Sequence, residues 1–161
     1  MRNISKQELD KIIDNHKLWL SSNGGKGERA NLRYADLSSA DLRSADLRSA
    51  NLRSADLRSA DLRSADLRSA DLRSANLSYA DLSYADLDYS AFPLWCGGLD
   101  VHIDDRQATQ LLYHLIRNVK FSKNTSAKLK RICKIKSLVK QANEFHRVEE
   151  CGLIGESEGA E

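Results

Sequence analysis

Between Arg106 and Asn143 the chain carries ten basic residues and no acidic one. Four of them, Lys130, Lys134, Lys136 and Lys140, fall in two pairs four residues apart, the spacing that stacks side chains on one face of a helix. A stripe of ammonium groups follows a phosphate backbone well, so nonspecific nucleic-acid binding is one chemistry the sequence offers. The plainer alternative is an amphipathic helix that solvates its outer face with lysine. Glu144, Glu149, Glu150, Glu156, Glu158 and Glu161 follow the stripe and can neutralise it within the molecule. The last residues, 153–161, read as a flexible acidic tail, and removing Glu156 to Glu161 is expected to raise affinity for DNA.

Cys96, His114, His146 and Cys151 are metal-ligand types, but their spacing matches no zinc pattern. Buried cysteine and interfacial histidine are the expectation, with no metal and no cofactor. Three cysteines, an odd number at no disulfide-like spacing, are expected to be free and reduced. No Ser-His-Asp or paired-carboxylate arrangement stands out, and the many aspartates of the chain's middle are expected on open walls rather than in a cleft. The sequence therefore nominates no catalytic residue and predicts a protein that is not an enzyme.

The elements that position these groups are set by an internal repeat. Twelve pentapeptides of the form Ala-Asp/Asn-Leu-X-X run from Ala30 to Tyr89. A step of five residues rotates a helical side chain by about 140°, so the leucines would spiral without making a face. In a strand the odd period sends successive leucines to opposite sides. Only a chain that turns a corner once per repeat keeps Leu32, Leu37, Leu42, Leu47, Leu52, Leu57, Leu62, Leu67, Leu72, Leu77, Leu82 and Leu87 inside. The residues between them are turn formers, since Asp, Asn and Ser bond readily to nearby backbone.

These repeats resemble those of the pentapeptide-repeat family. The resemblance implies a right-handed quadrilateral β-helix with four repeats, or twenty residues, per turn, hence about three coils. It also implies leucine at the centre of each face, with Ala30 to Ala85 in the tight space beside it. Ser90-Ala91-Phe92-Pro93-Leu94 looks like a degenerate thirteenth repeat with Phe92 in the leucine slot. Phe92 to Gly98 (FPLWCGG) and His146 to Gly152 (HRVEECG) resemble segments of uncharacterised pentapeptide-repeat proteins of bacteria and their phages.

Some members of the family mimic duplex DNA toward type II topoisomerases by presenting an acidic rod. Here nine Asp at the second repeat position plus Asp88 face eight Arg, a sum of minus two. Stacking at twenty residues places Arg33, Arg53 and Arg73 in one column beside the aspartates, so the two fields cancel beyond about 8 Å. DNA mimicry is therefore a third choice.

A short stack of coils needs caps, because both ends of its leucine column lie near solvent. Ser5-Lys6-Gln7-Glu8 is a capping box that opens a helix from Lys6 to Ser21, with Leu9, Ile12, Ile13, His16, Trp19 and Leu20 on its apolar face. Ser22 to Gly27 reads as a flexible hinge. Beyond the repeats, Leu99, Val101 and Ile103 alternate as a short strand. Asp104 then caps a helix with Ala108, Leu111, Leu112, Leu115, Ile116 and Val119 inward. A last helix over 126–145 is expected to bury Leu129, Ile132, Ile135, Leu138, Val139 and Ala142.

Four segments follow: an N-terminal helix and glycine-rich hinge (1–29), the β-helix (30–94), a strand and two-helix cap (95–152) and the tail (153–161). Tyr79, Tyr84 and Tyr89, at one repeat position on three successive faces, are expected to pack half-buried against the C-terminal helices.

The 161 residues carry a net charge of +2, with no apolar run near the roughly 18 needed to span a membrane. A cytoplasmic protein without a membrane partner is the expectation, monomeric or dimeric through its C-terminal helices. Near-identical repeats suit a scaffold better than an irregular recognition surface. The function expected first is a noncatalytic scaffold with a protein partner, then nucleic-acid binding through the basic helix.

Overall fold

The computed structural model describes residues 1–93, 98, 100–121, 125–145 and 154. They form two compact units, Met1–Ile103 and Asp104–Glu161.

In the first unit every pentapeptide turns one corner. The leucine carbonyl of each repeat accepts a bond from the N–H three residues on, as from Ala40 to Leu37 at 3.0 Å, from Ala60 to Leu57 at 3.0 Å and, in the last repeat, from Ser90 to Leu87 at 3.0 Å. The fifth residue of all twelve repeats has a positive φ, from 54° at Ser44 to 63° at Tyr84. A positive φ at only the third turn position defines a type II turn. For a residue with a Cβ this costs roughly 1 kcal/mol. The second residue of the repeat offsets that cost: Asp36 Oδ1 accepts the Ser38 N–H at 3.1 Å and Asp61 Oδ1 the Arg63 N–H at 3.2 Å, an Asx turn repeated along the chain. Asp and Asn serve equally, as Asn31, Asn51 and Asn76 make the same bond.

Between corners the backbone pairs in parallel at a period of twenty. Asn31, Asn51, Asp71 and Ala91 make one column of bridges, and Asp36, Asp56 and Asn76 a second. Asp41, Asp61, Asp81 and His102 make a third, and Asp46, Asp66 and Asp86 a fourth. Four columns at this period make a four-sided β-helix. Each side is so short that the only two-residue strands among the described residues are β1 (Arg2–Asn3) and β2 (Ala35–Asp36), which pair in parallel.

Inside, every repeat leucine from Leu32 to Leu82 is buried, while Leu87 and Phe92 at the last rung are only partly so. Leu94, Leu99 and Cys96 lie outside the described residues. The strand expected over 99–103 is a single bridge in the structure: His102 pairs with Asp81, and Ile103 is exposed. Tyr79, Tyr84 and Tyr89 are 63%, 76% and 72% exposed rather than half-buried, because each occupies the left-handed corner position, which projects outward.

Helix α1 (Lys6–Ser21) starts where its cap residue dictates, with Ser5 Oγ accepting the Glu8 N–H at 3.2 Å. The Glu8 carboxylate faces Arg2 at 3.6 Å. Leu9, Ile12 and Ile13 pack on the leucine column. Three carbonyls on the open edge of the first coil are met by the N-terminal residues: Arg48 O accepts from His16 Nε2 at 3.0 Å, Tyr34 O from the Arg2 N–H at 2.7 Å, and Ser49 O from Arg29 Nε. The glycine stretch, read from sequence as a hinge, forms a turn tied to the end of α1. Ser22 Oγ accepts the Lys26 N–H at 2.8 Å. Gly27, at φ +70°, approaches Asn15 so closely that a Cβ would lie 2.2 Å from its carbonyl oxygen.

The second unit contains α2 (Asp105–Phe121), α3 (Ala127–Ile132) and α4 (Lys136–Ala142). Asp104 and Gln107 cap α2 reciprocally, at 3.0 and 3.1 Å. The single helix expected over 126–145 is broken at Cys133–Ile135, and Ile135 is extended (φ −63°, ψ 117°). An unbroken helix would stack Lys130 on Lys134 with no carboxylate to relieve them, through the poor helix formers Ile132, Cys133 and Ile135. The break lets α4 pack on α2, so that Tyr113, Ile116, Ala142, Phe145 and Ile154 form the core, with the Tyr113 and Phe145 rings stacked at 4.9 Å. Leu129, Ile132 and Ile135, expected inside, are instead 49%, 45% and 47% exposed. On α2, Ala108, Leu111 and Leu115 do not reach this core, Leu111 and Leu115 being exposed, and Tyr113 takes the buried place.

Candidate functional site

Two surfaces carry charge in patterns capable of recognition. On the coil, arginine follows aspartate by two residues in six repeats, and there the Asx turn brings each guanidinium back onto its own carboxylate, whereas Arg33 and Arg53 follow Asn31 and Asn51. Arg43 Nε and Nη2 donate to the two oxygens of Asp41 at 2.8 and 2.7 Å, and Arg63 repeats the fork on Asp61 at 2.9 and 2.6 Å. Arg48 and Arg58 do the same on Asp46 and Asp56. The fork makes these hydrogen bonds charge-assisted and directional. They hold the carboxyls of Asp41 and Asp71 down at about 2 and lower those of Asp46, Asp56 and Asp61, with the arginine bond the leading cause in each.

On two faces each arginine also reaches the aspartate one coil on. Arg43 lies 3.7 Å from Asp61 and Arg63 3.8 Å from Asp81, while Arg48 lies 3.5 Å from Asp66 and Arg68 3.7 Å from Asp86. These are two zigzag ladders of alternating sign. On these two faces the charges are paired within the wall.

The second surface lies in the unit that begins at Asp104. Lys130, Lys134, Lys136 and Lys140, the four lysines singled out from sequence, line one cavity of about 750 Å³. The break between α3 and α4 brings the two pairs around a common space. Lys120, in the last turn of α2, joins them. That fifth lysine belongs to the basic run, but only the folding of α2 onto α4 assigns it to this cavity. The apolar part of the lining is Cys133, Val139 and Ile154, and none of the described lining residues is acidic. Asn143 fixes one wall by gripping the Ile154 backbone: Oδ1 accepts its N–H at 2.9 Å and Nδ2 donates to its carbonyl at 3.1 Å.

Of the metal-ligand types, Cys96, His146 and Cys151 lie outside the described residues. His114 sets its ring edge-on to Tyr113 and Phe145, at 5.7 and 5.4 Å. Among the described residues no three His, Cys, Asp or Glu side chains are placed to hold a metal ion. Of the tail expected over 153–161, only Ile154 is among the described residues, and it is buried in the core of the second unit.

Comparison with known proteins bears on the first unit. The family described as Pentapeptide repeats matches in eight copies, over residues 28–63 and 55–88. A comparison with curated proteins gives no match. Among solved structures, the chain is similar to the pentapeptide repeat protein Rfr23 of the cyanobacterium Cyanothece 51142. The identity there is 32%, over 47% of this chain and 54% of that one, with a TM-score of 0.33. It is also similar to HetL of Nostoc sp. strain PCC 7120, a pentapeptide repeat protein involved in heterocyst differentiation regulation. That match has 32% identity, 47% and 39% coverage and a TM-score of 0.20. A pentapeptide repeat protein of the Arabidopsis thaliana thylakoid lumen matches at 22% identity, over 61% of this chain and 80% of that one, with a TM-score of 0.27.

The chain thus spans about half the length or less of the first two structures. The family implies a right-handed quadrilateral β-helix, and its members are generally non-enzymatic. The match over residues 28–88 coincides with the Asx-turn repeats and the twenty-residue ladder, and this part of the chain consists of pentapeptide repeats.

Proposed function

We propose that this chain is a noncatalytic binding protein in which a three-coil β-helix, capped at its first coil by β1 and α1, carries a basic unit that binds polyanionic partners. The observation that supports this most is the convergence of Lys130, Lys134, Lys136 and Lys140 on one cavity whose described lining holds no carboxylate. Like charges repel, and a protein that gathers ammonium groups around such a hollow gains by meeting an external counter-charge there. An acidic protein surface or a phosphate-bearing partner satisfies the same need.

The coil shares this property less, because Arg43, Arg48, Arg63 and Arg68 already hold aspartates on both sides and Arg58 and Arg73 hold one each. DNA mimicry toward a topoisomerase is for that reason the weaker reading. The β-helix is better suited to a rigid spacer whose regular walls attract nothing strongly.

The test is fluorescence anisotropy of a labelled duplex of about 30 base pairs titrated at low and high salt, since phosphate contacts weaken as counterions accumulate. Binding with a steep salt slope is expected. The slope should collapse when Lys130, Lys134, Lys136 and Lys140 are all changed to Gln. Absence of binding to the duplex and to heparin at low salt would contradict the proposal.

A further inference from the structure

The lysine cavity sits beside a second unusual feature. Leu129 and Ile132, three residues apart on α3, and Ile135, three further on in the turn before α4, leave roughly half of their surface in water. Leu129 and Ile132 share one face of the helix, and Lys130, Cys133 and Lys134, each one or two residues on, line the cavity on the next. An apolar edge and a basic hollow therefore lie side by side on one short, carboxylate-free segment.

A duplex or a polyphosphate uses only half of this arrangement. Phosphates reward the lysines, but a polyanion in water gives Leu129, Ile132 and Ile135 nothing to bury against. Nucleic-acid sites that are not purely electrostatic stack bases on aromatic rings, and the large apolar side chains exposed in this unit are Leu and Ile throughout, among the described residues. A second copy of the chain would cover the apolar edge while pressing lysine against lysine. An anionic bilayer surface answers both features: headgroup phosphates meet the ammonium groups, and aliphatic side chains enter the boundary between headgroups and acyl chains. No helix among the described residues is long and apolar enough to cross a membrane, and docking of this kind needs none.

We infer that the α3–α4 segment is a peripheral docking site for anionic phospholipid surfaces, with Lys130, Lys134, Lys136 and Lys140 receiving a headgroup and Leu129, Ile132 and Ile135 entering the interface. This deepens the polyanion reading proposed above and rests on it. Each lysine near such a surface contributes about fivefold in affinity, and burial of two aliphatic side chains contributes about tenfold or more.

The test is co-sedimentation of the full chain with vesicles of equimolar phosphatidylglycerol and phosphatidylcholine, against vesicles of phosphatidylcholine alone, with duplex DNA binding measured in parallel. Binding to the anionic vesicles only is expected. The double variant Leu129→Ser/Ile132→Ser should weaken vesicle binding about tenfold while leaving duplex binding within about twofold. Lys130→Gln/Lys134→Gln should weaken both. Circular dichroism checks that each variant keeps the parent's helix content, and Ile135→Ser, outside any helix, serves as the alternative if the double variant does not.

Duplex binding without any preference for anionic vesicles would overturn the membrane inference and leave the polyanion reading standing. Failure to bind either would overturn both. Vesicle binding indifferent to the loss of Leu129, Ile132 and Ile135 would overturn the inference as well, since lysine alone would then suffice.

Discussion

Where arginine follows it by two residues, the aspartate of the repeat has two tasks that its side chain can separate. One oxygen holds the corner by accepting the N–H two residues on, and the carboxylate charge holds the arginine. Asp56, whose side chain is 1% exposed, shows both with Arg58. Asp56→Asn keeps the corner and lowers stability little, as Asn51 and Asn76 already demonstrate in their own repeats. Asp56→Ala removes both partners and should cost about 1–3 kcal/mol, read from urea unfolding.

His16 is the other residue with a definite electrical state. Its Nε2 faces the Arg48 carbonyl and so carries the proton, while Nδ1 accepts the Ala30 N–H at 3.1 Å. The buried ring is therefore neutral, and burial lowers its pKa below the ordinary 6.5, against the raising effect of the Arg48 carbonyl. The unfolded chain binds the proton more readily, so stability is complete above about 6.5 and declines as pH falls below it. Urea midpoints taken between about pH 7.5 and about pH 5 should fall for the parent and stay flatter for His16→Asn. The aspartates act at lower pH: with Asp41 and Asp71 held at about 2, their contribution is present above 3.8 and is lost as pH falls from there toward 2.

Among elements, those with strong local signals are legible in the amino-acid sequence itself. The Ser5 cap and the apolar spacing of Leu9, Ile12 and His16 predict α1 over Lys6–Ser21, the span it occupies. The period of five predicts a chain that corners once per repeat. The carboxylate-free run predicts the lysine cluster but not its geometry, because the break at Cys133–Ile135 depends on how α4 meets Tyr113 and Ile116 of α2. For the same reason the apolar pattern misplaces Leu129, Ile132 and Ile135: periodicity shows that a face is apolar, not that a neighbour covers it. The outward aim of Tyr79, Tyr84 and Tyr89 follows from a positive φ that serine shares at the same position, so no local sequence signal marks it.

Close contacts make two elements sensitive to single changes. Gly27→Ala should destabilise the N-terminal segment by about 1–3 kcal/mol through its left-handed φ, with a further penalty from the 2.2 Å approach to Asn15. Asn143→Ala frees Ile154 from α4 and should weaken duplex binding without altering the coil, which proton NMR of the repeat leucines and a binding isotherm together would show.

On the scale of the molecule, charge is distributed by a simple division. The β-helix pairs arginine with aspartate in six of its repeats. The unit from Asp104 onward gathers lysine around one cavity instead. The leucine column supplies the stability that makes the first arrangement possible, and Leu62→Ala, fully buried at mid-stack, should cost about 2–5 kcal/mol. The same substitution at the partly buried Leu87 should cost less.

The division is tested most directly by comparing salt slopes for duplex binding in three proteins: the parent, the Lys130/Lys134/Lys136/Lys140→Gln variant, and an Arg43/Arg48/Arg63/Arg68→Gln variant of the coil. If the cavity is the binding site, the slope of about −0.9 per phosphate contact falls by roughly four contacts in the lysine variant and is unchanged in the arginine variant. Loss of binding in the arginine variant, with the lysine variant unaffected, would place recognition on the coil and contradict the account.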